Sequence, residues 1–83
     1  MPEAAGQEAR PLYRISDLAD LAGVSLQVVS TYCMYGLIHE ADRTPGGHRL
    51  FDESTARRIQ LIQDLKKRYT LREIREIFIR DRF

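Results

Sequence analysis

Few residues in this 83-residue sequence are equipped for chemistry, and most of the usual arrangements are missing. Cys33, His39 and His48 are the only soft metal ligands, and no two of them have the close spacing of a zinc site. Thr44-Pro45-Gly46-Gly47 is strong turn chemistry, but no helix carrying a lysine follows it, so it is not a phosphate loop. No nucleophile is followed by an evident base and orienting partner. Catalysis, metal binding and any cofactor are therefore not expected. Two features remain. Arg43 and Arg49 flank the Pro-Gly-Gly turn, on a protruding segment that needs no salt bridge to form. The segment Ser25–Gly36 carries no charge at all yet contains the polar side chains Gln27, Ser30 and Thr31.

The elements that would position these residues follow from apolar spacing and capping signals. Ile15, Leu18, Ala19, Leu21 and Ala22 fall on one face of a short helix, with Ser16 as its N-cap and Gly23 as its stop. Ser25 caps a second helix in which Leu26, Val29, Tyr32 and Cys33 share a face, and Gly36 ends it. Two short helices joined by Gly23-Val24-Ser25 have the spacing of a helix-turn-helix. Leu37-Ile38-His39 and His48-Arg49-Leu50-Phe51 read as the two strands of a hairpin, stable only if it leans on the helices. Asp52 caps a third helix with Ala56, Ile59, Leu61, Ile62 and Leu65 inward and Arg57, Arg58, Lys66, Lys67 and Arg68 in water. Thr70 and Glu73 form a capping box for a fourth helix, whose core face is Leu71, Ile74, Ile77 and Phe78. The fold expected is mainly α: helix, helix, two-stranded wing, helix, helix. Residues 1–11 read as a flexible leader and residues 12–83 as the folded domain.

Composition is consistent with one small soluble domain, at 43% hydrophobic and 30% charged residues. The net charge of +1 hides an uneven distribution. Residues 1–40 hold two basic side chains (Arg10, Arg14) against five acidic ones (Glu3, Glu8, Asp17, Asp20, Glu40). Residues 41–83 hold eleven basic against seven acidic. Attraction to phosphate must come from the second half. No apolar run is long enough to span a bilayer, and no basic-then-apolar signal opens the chain. One cysteine, which cannot close an internal disulfide, favours a reducing cytoplasm. Cys33 reads as a small buried hydrophobe rather than a reactive thiol.

In order and spacing, several stretches resemble the DNA-binding domain of the MerR family of bacterial transcription regulators. Tyr13-Arg14-Ile15-Ser16-Asp17-Leu18-Ala19 looks like the family's opening, Ala22-Gly23-Val24-Ser25 is similar to its turn, and Gly36-Leu37-Ile38 follows the second helix as it does there. Arg43-Thr44-Pro45-Gly46-Gly47-His48-Arg49-Leu50-Phe51-Asp52 resembles the wing, and Tyr69-Thr70-Leu71-Arg72-Glu73-Ile74 the start of the fourth helix. The resemblance implies a DNA-binding regulator with the second helix in the major groove. Ser25, Gln27, Ser30 and Thr31 would then meet bases or nearby phosphates, and Tyr32 would lie near the backbone. Arg43, His48 and Arg49 would grip phosphates or the adjacent minor groove. Where the family carries arginine in the second helix, this sequence has the uncharged Gln27-Val28-Val29-Ser30-Thr31-Tyr32. The family also dimerises through a long helix after the fourth. The sequence ends at Phe83, so a monomer that self-associates on DNA is the expectation. The alternative is a MerR-like adaptor that binds a protein through the second helix, at Val28, Thr31, Met34 and Tyr35, or through the C-terminal end. Its discriminating feature is the basic wing, for which an adaptor has no evident use.

Overall fold

The computed structural model describes residues 11–81, so all of the expected leader except Pro11 lies outside the described residues. The elements run β1 (Leu12–Arg14), α1 (Ile15–Ala22), α2 (Leu26–Met34), β2 (Asp42–Arg43), β3 (Arg49–Asp52), α3 (Glu53–Leu65) and α4 (Leu71–Asp81). Three strands form one antiparallel sheet in the order β1-β3-β2. Tyr13 faces Phe51 across one ladder and Arg43 faces Arg49 across the other. The architecture is a winged helix-turn-helix.

Local signals account for most element ends. The Ser25 side chain accepts a hydrogen bond from the Val28 N–H at 3.2 Å, and Asp52 accepts from the N–H and hydroxyl of Thr55, each at 3.3 Å. In the capping box, Thr70 Oγ1 accepts from the Glu73 N–H at 3.1 Å while Glu73 accepts from the Thr70 N–H at 2.8 Å. Helices α1 and α2 end alike, with the chain turning back on itself through a left-handed glycine. Gly23 (φ 75°) and Val24 donate to the carbonyls of Asp20 and Ala19, and Gly36 (φ 74°) and Leu37 donate to those of Cys33 and Tyr32. These paired bonds satisfy carbonyls that the helix ends leave open, in a conformation that penalises any residue with a Cβ.

The core unites all four helices and the sheet. Leu18 from α1, Val29 and Tyr32 from α2, Phe51 from β3, Ile59 and Ile62 from α3, and Ile74 and Phe78 from α4 are buried together. Several expectations from spacing need correction. Strand β1 was not expected, and because it runs directly into α1 the cap position falls on Arg14, which offers no side-chain cap; Ser16 lies inside the helix. Leu37 and Ile38 do not form a strand. Both are buried, which an alternating strand on one layer cannot achieve, and the hairpin's first strand begins only at Asp42. The second strand begins at Arg49, leaving His48 in the turn. Leu21, Leu26 and Leu61 lie on the outside, because short helices present a narrower inward face than their apolar content suggests.

Arg58 also departs from its expected place in water. Its Nε donates to the Leu37 carbonyl at 2.7 Å, and its guanidinium sits 4.3 Å from the Phe78 ring centroid. Partial burial lowers its pKa from the usual arginine value. The side chain ties the bend after α2 to α3 and α4, so a cation read as solvated is part of the frame that carries the hairpin.

Candidate nucleic-acid interface

The candidate surface is built from α2 and the β2–β3 hairpin. On α2, the buried residues Val29 and Tyr32 point inward, while Gln27 is exposed and Ser30 and Thr31 are half-exposed on the opposite side. Gln27 Nε2 donates to Thr31 Oγ1 at 3.4 Å, a weak bond that pre-aligns two polar side chains one helical turn apart. Ser25 is exposed at the N-terminus of the helix, with its oxygen engaged in capping.

Tyr32 requires a correction. It is only 1% exposed, and its hydroxyl accepts a hydrogen bond from Gln63 Nε2 at 2.6 Å. The Lys66 ammonium lies 5.9 Å from its ring centroid. A ring held in the core with its hydroxyl partnered cannot reach a phosphate without moving, so Tyr32 supports α2 from beneath.

The hairpin carries Arg43, His48 and Arg49, all exposed. Its tip is closed by the Gly47 N–H donating to the Thr44 carbonyl at 2.8 Å and by the Thr44 N–H donating to the His48 carbonyl at 2.9 Å. Thr44 Oγ1 accepts from the His48 N–H at 3.1 Å. The turn therefore needs no ionic contact from its flanking arginines. Both arginines instead face Glu40, which sequence reasoning had not singled out. Arg43 Nε donates to Glu40 Oε2 at 2.7 Å, and Arg49 Nε lies 3.8 Å from Oε1. The hydrogen bond from Arg43 is the main influence holding the Glu40 carboxyl below the usual carboxylate range.

Cys33, half-buried on α2, has its thiol pKa raised chiefly by burial, while Arg49 opposes this through its charge and a hydrogen bond. The charge of Arg49 is thus felt at α2, whose outer face is polar and uncharged. Glu40 supplies the opposing charge. Replacing it by Gln releases both arginines, and affinity for any polyanion should rise severalfold, as competition titrations with heparin or duplex DNA at fixed salt would report. Weaker binding would mean that Glu40 holds the arginines in their working pose.

Among the described residues no group of three or more metal-ligating side chains comes together, and no helix is long and apolar enough to cross a membrane. A family model for MerR HTH family regulatory proteins matches residues 13–80. The chain belongs to the MerR family. MerR-family regulators are transcription factors, not enzymes. This MerR-family chain is 35% identical over 68 residues to nodulation protein NolA of Bradyrhizobium elkanii, an alignment covering 81% of this chain and 31% of that protein. It is 42% identical over 65 residues to the HTH-type transcriptional regulator CueR of Bacillus subtilis strain 168, covering 77% of this chain and 45% of CueR. Among solved structures it superimposes on HiNmlR, a MerR family regulator lacking the sensor domain, bound to promoter DNA. That TM-score is 0.71 at 25% identity, over 81% of this chain and 54% of the other. The chain thus spans less than half the length of the NolA and CueR relatives it matches.

Proposed function

We propose that this MerR-family domain is the sequence-specific DNA-binding part of a transcription regulator acting in the bacterial cytoplasm. Helix α2 lies in the major groove, where Gln27, Ser30 and Thr31 meet base edges. Arg43, His48 and Arg49 hold the backbone or the adjacent minor groove, and Ser25 approaches a phosphate at the start of α2. The observation that carries this reading is an uncharged, polar outer face on α2, where Gln27 bonds to Thr31, together with a hairpin whose Arg43, His48 and Arg49 are all exposed. The likeness to a family member bound to promoter DNA supports it. A single copy makes few phosphate contacts, so tight binding calls for two copies assembled side by side on repeated half-sites.

The division of labour is unequal. An uncharged helix contributes little nonspecific attraction, so sequence preference rests on hydrogen bonds and the general affinity on the wing. Gln27→Ala should cost about 1–3 kcal/mol on the best duplex and relax a single base position, as expected for loss of a bidentate contact to adenine. Thermal stability should be unchanged, because the side chain is exposed. Fluorescence anisotropy on the best duplex and its single-base variants measures both effects. Equal weakening on every sequence would make Gln27 a backbone contact and contradict the base-reading role.

A further inference from the structure

The outward face of α2 contains one residue that the preceding reading leaves unused. Met34 is 83% exposed, the most open of the large apolar side chains among the described residues. It lies seven residues after Gln27, about 20° off the same line along the helix. Both point directly away from the core residues Val29 and Tyr32. A lone exposed apolar side chain is ordinary on a protein surface; this one stands on the line of the proposed base-reading residues. Its surroundings also bear on what could cover it. Met34 shares a shallow cavity with Tyr35, Arg72, Arg75 and Glu76. Arg72, Arg75 and Glu76 form no ion pair among the described residues, so the ground beside Met34 holds two positive charges against one negative. An apolar tip set in a surface of net positive charge matches an apolar group set in a polyanion.

We infer that Met34 is a second base-reading residue and that it contacts the C5-methyl group of a thymine. The inference rests on the proposed placement of α2 in the major groove. A thioether side chain cannot meet the donors and acceptors that line that groove, and the thymine methyl is the only apolar group there. Seven residues at a rise of about 1.5 Å separate Gln27 from Met34 by about 10.5 Å along the helix. At about 3.4 Å per base step, the thymine lies about three base pairs from the position read by Gln27. The preferred half-site therefore pairs an adenine with a thymine at a fixed offset.

The test removes the methyl group and nothing else. A preferred duplex is selected with the wild-type protein, and each thymine in turn is replaced by deoxyuridine. One replacement, about three base pairs from the Gln27-dependent position, should weaken wild-type binding about fourfold, the worth of one buried methyl group. Met34→Ala should bind thymine and uracil duplexes equally, Met34→Leu should keep the discrimination, and Gln27→Ala should leave it intact. No uracil effect at any position, or one unaltered in Met34→Ala, overturns the inference. If the duplex still depends on Gln27 in that case, the groove placement of α2 stands and Met34 covers a protein partner instead. Selection of no preferred sequence overturns the DNA-binding reading and this inference with it.

Discussion

Phe51→Ala should lower the stability of the domain by about 3–5 kcal/mol, the usual cost of emptying an aromatic site in a core. Phe51 is completely buried on β3, pairs with Tyr13 of β1, and precedes Asp52, whose carboxylate caps α3. In a domain of this size each 1 kcal/mol moves the melting temperature by about 4–8 °C, so the variant should melt at least about 12 °C lower or fail to fold. Ile79→Ala, which removes an exposed side chain, should stay within about 0.5 kcal/mol. Thermal and urea unfolding followed by circular dichroism would compare the two. A cost below 1 kcal/mol for Phe51 would mean that the sheet is not packed on the helices as described.

The wing should dominate the ionic part of binding. Arg43→Ala combined with Arg49→Ala removes two exposed guanidinium groups from a surface whose helix carries no charge. If each neutralises one phosphate, the slope of log affinity against log salt should flatten by about two, at about 0.9 per contact. The loss of affinity should be greatest at low salt and nearly equal on all sequences, because phosphate contacts carry no base information. The double variant also strands Glu40 beside the DNA, which adds to the loss. Replacing Glu40 by Gln in the same background should recover that added part alone. An unchanged salt slope would remove the wing from the interface.

The parts of the fold legible in the sequence were those fixed by contacts within a few residues. Ser25, Asp52 and the Thr70–Glu73 box cap helices through bonds to residues three positions on, and Gly23 and Gly36 end helices by their own backbone conformation. What escaped depends on partners distant in the chain. Strand β1 exists because residues nearly forty positions later pair with it. Leu37 and Ile38 look like a strand until the turn after Gly36 and the grip of Arg58 place both in the core.

The candidate site divides in the same way. Gln27, Ser30 and Thr31 were found because helical spacing sets them opposite Val29 and Tyr32. The burial of Tyr32 itself could not be read, since an amphipathic phenol suits a core or a surface and the bond from Gln63 crosses thirty-one positions. Glu40 was half legible. Its spacing of three from Arg43 was a usable signal, but its nearness to Arg49 depends on the hairpin register.

The most direct test of the central claim is amide chemical-shift mapping of the isotope-labelled chain during titration with short duplex DNA at low salt. The account predicts that perturbations concentrate on residues 25–34 of α2 and its cap and on residues 42–49 of the hairpin, diminishing as salt is added. No perturbation at millimolar DNA, or perturbation confined to surfaces away from α2 and the hairpin, would contradict it.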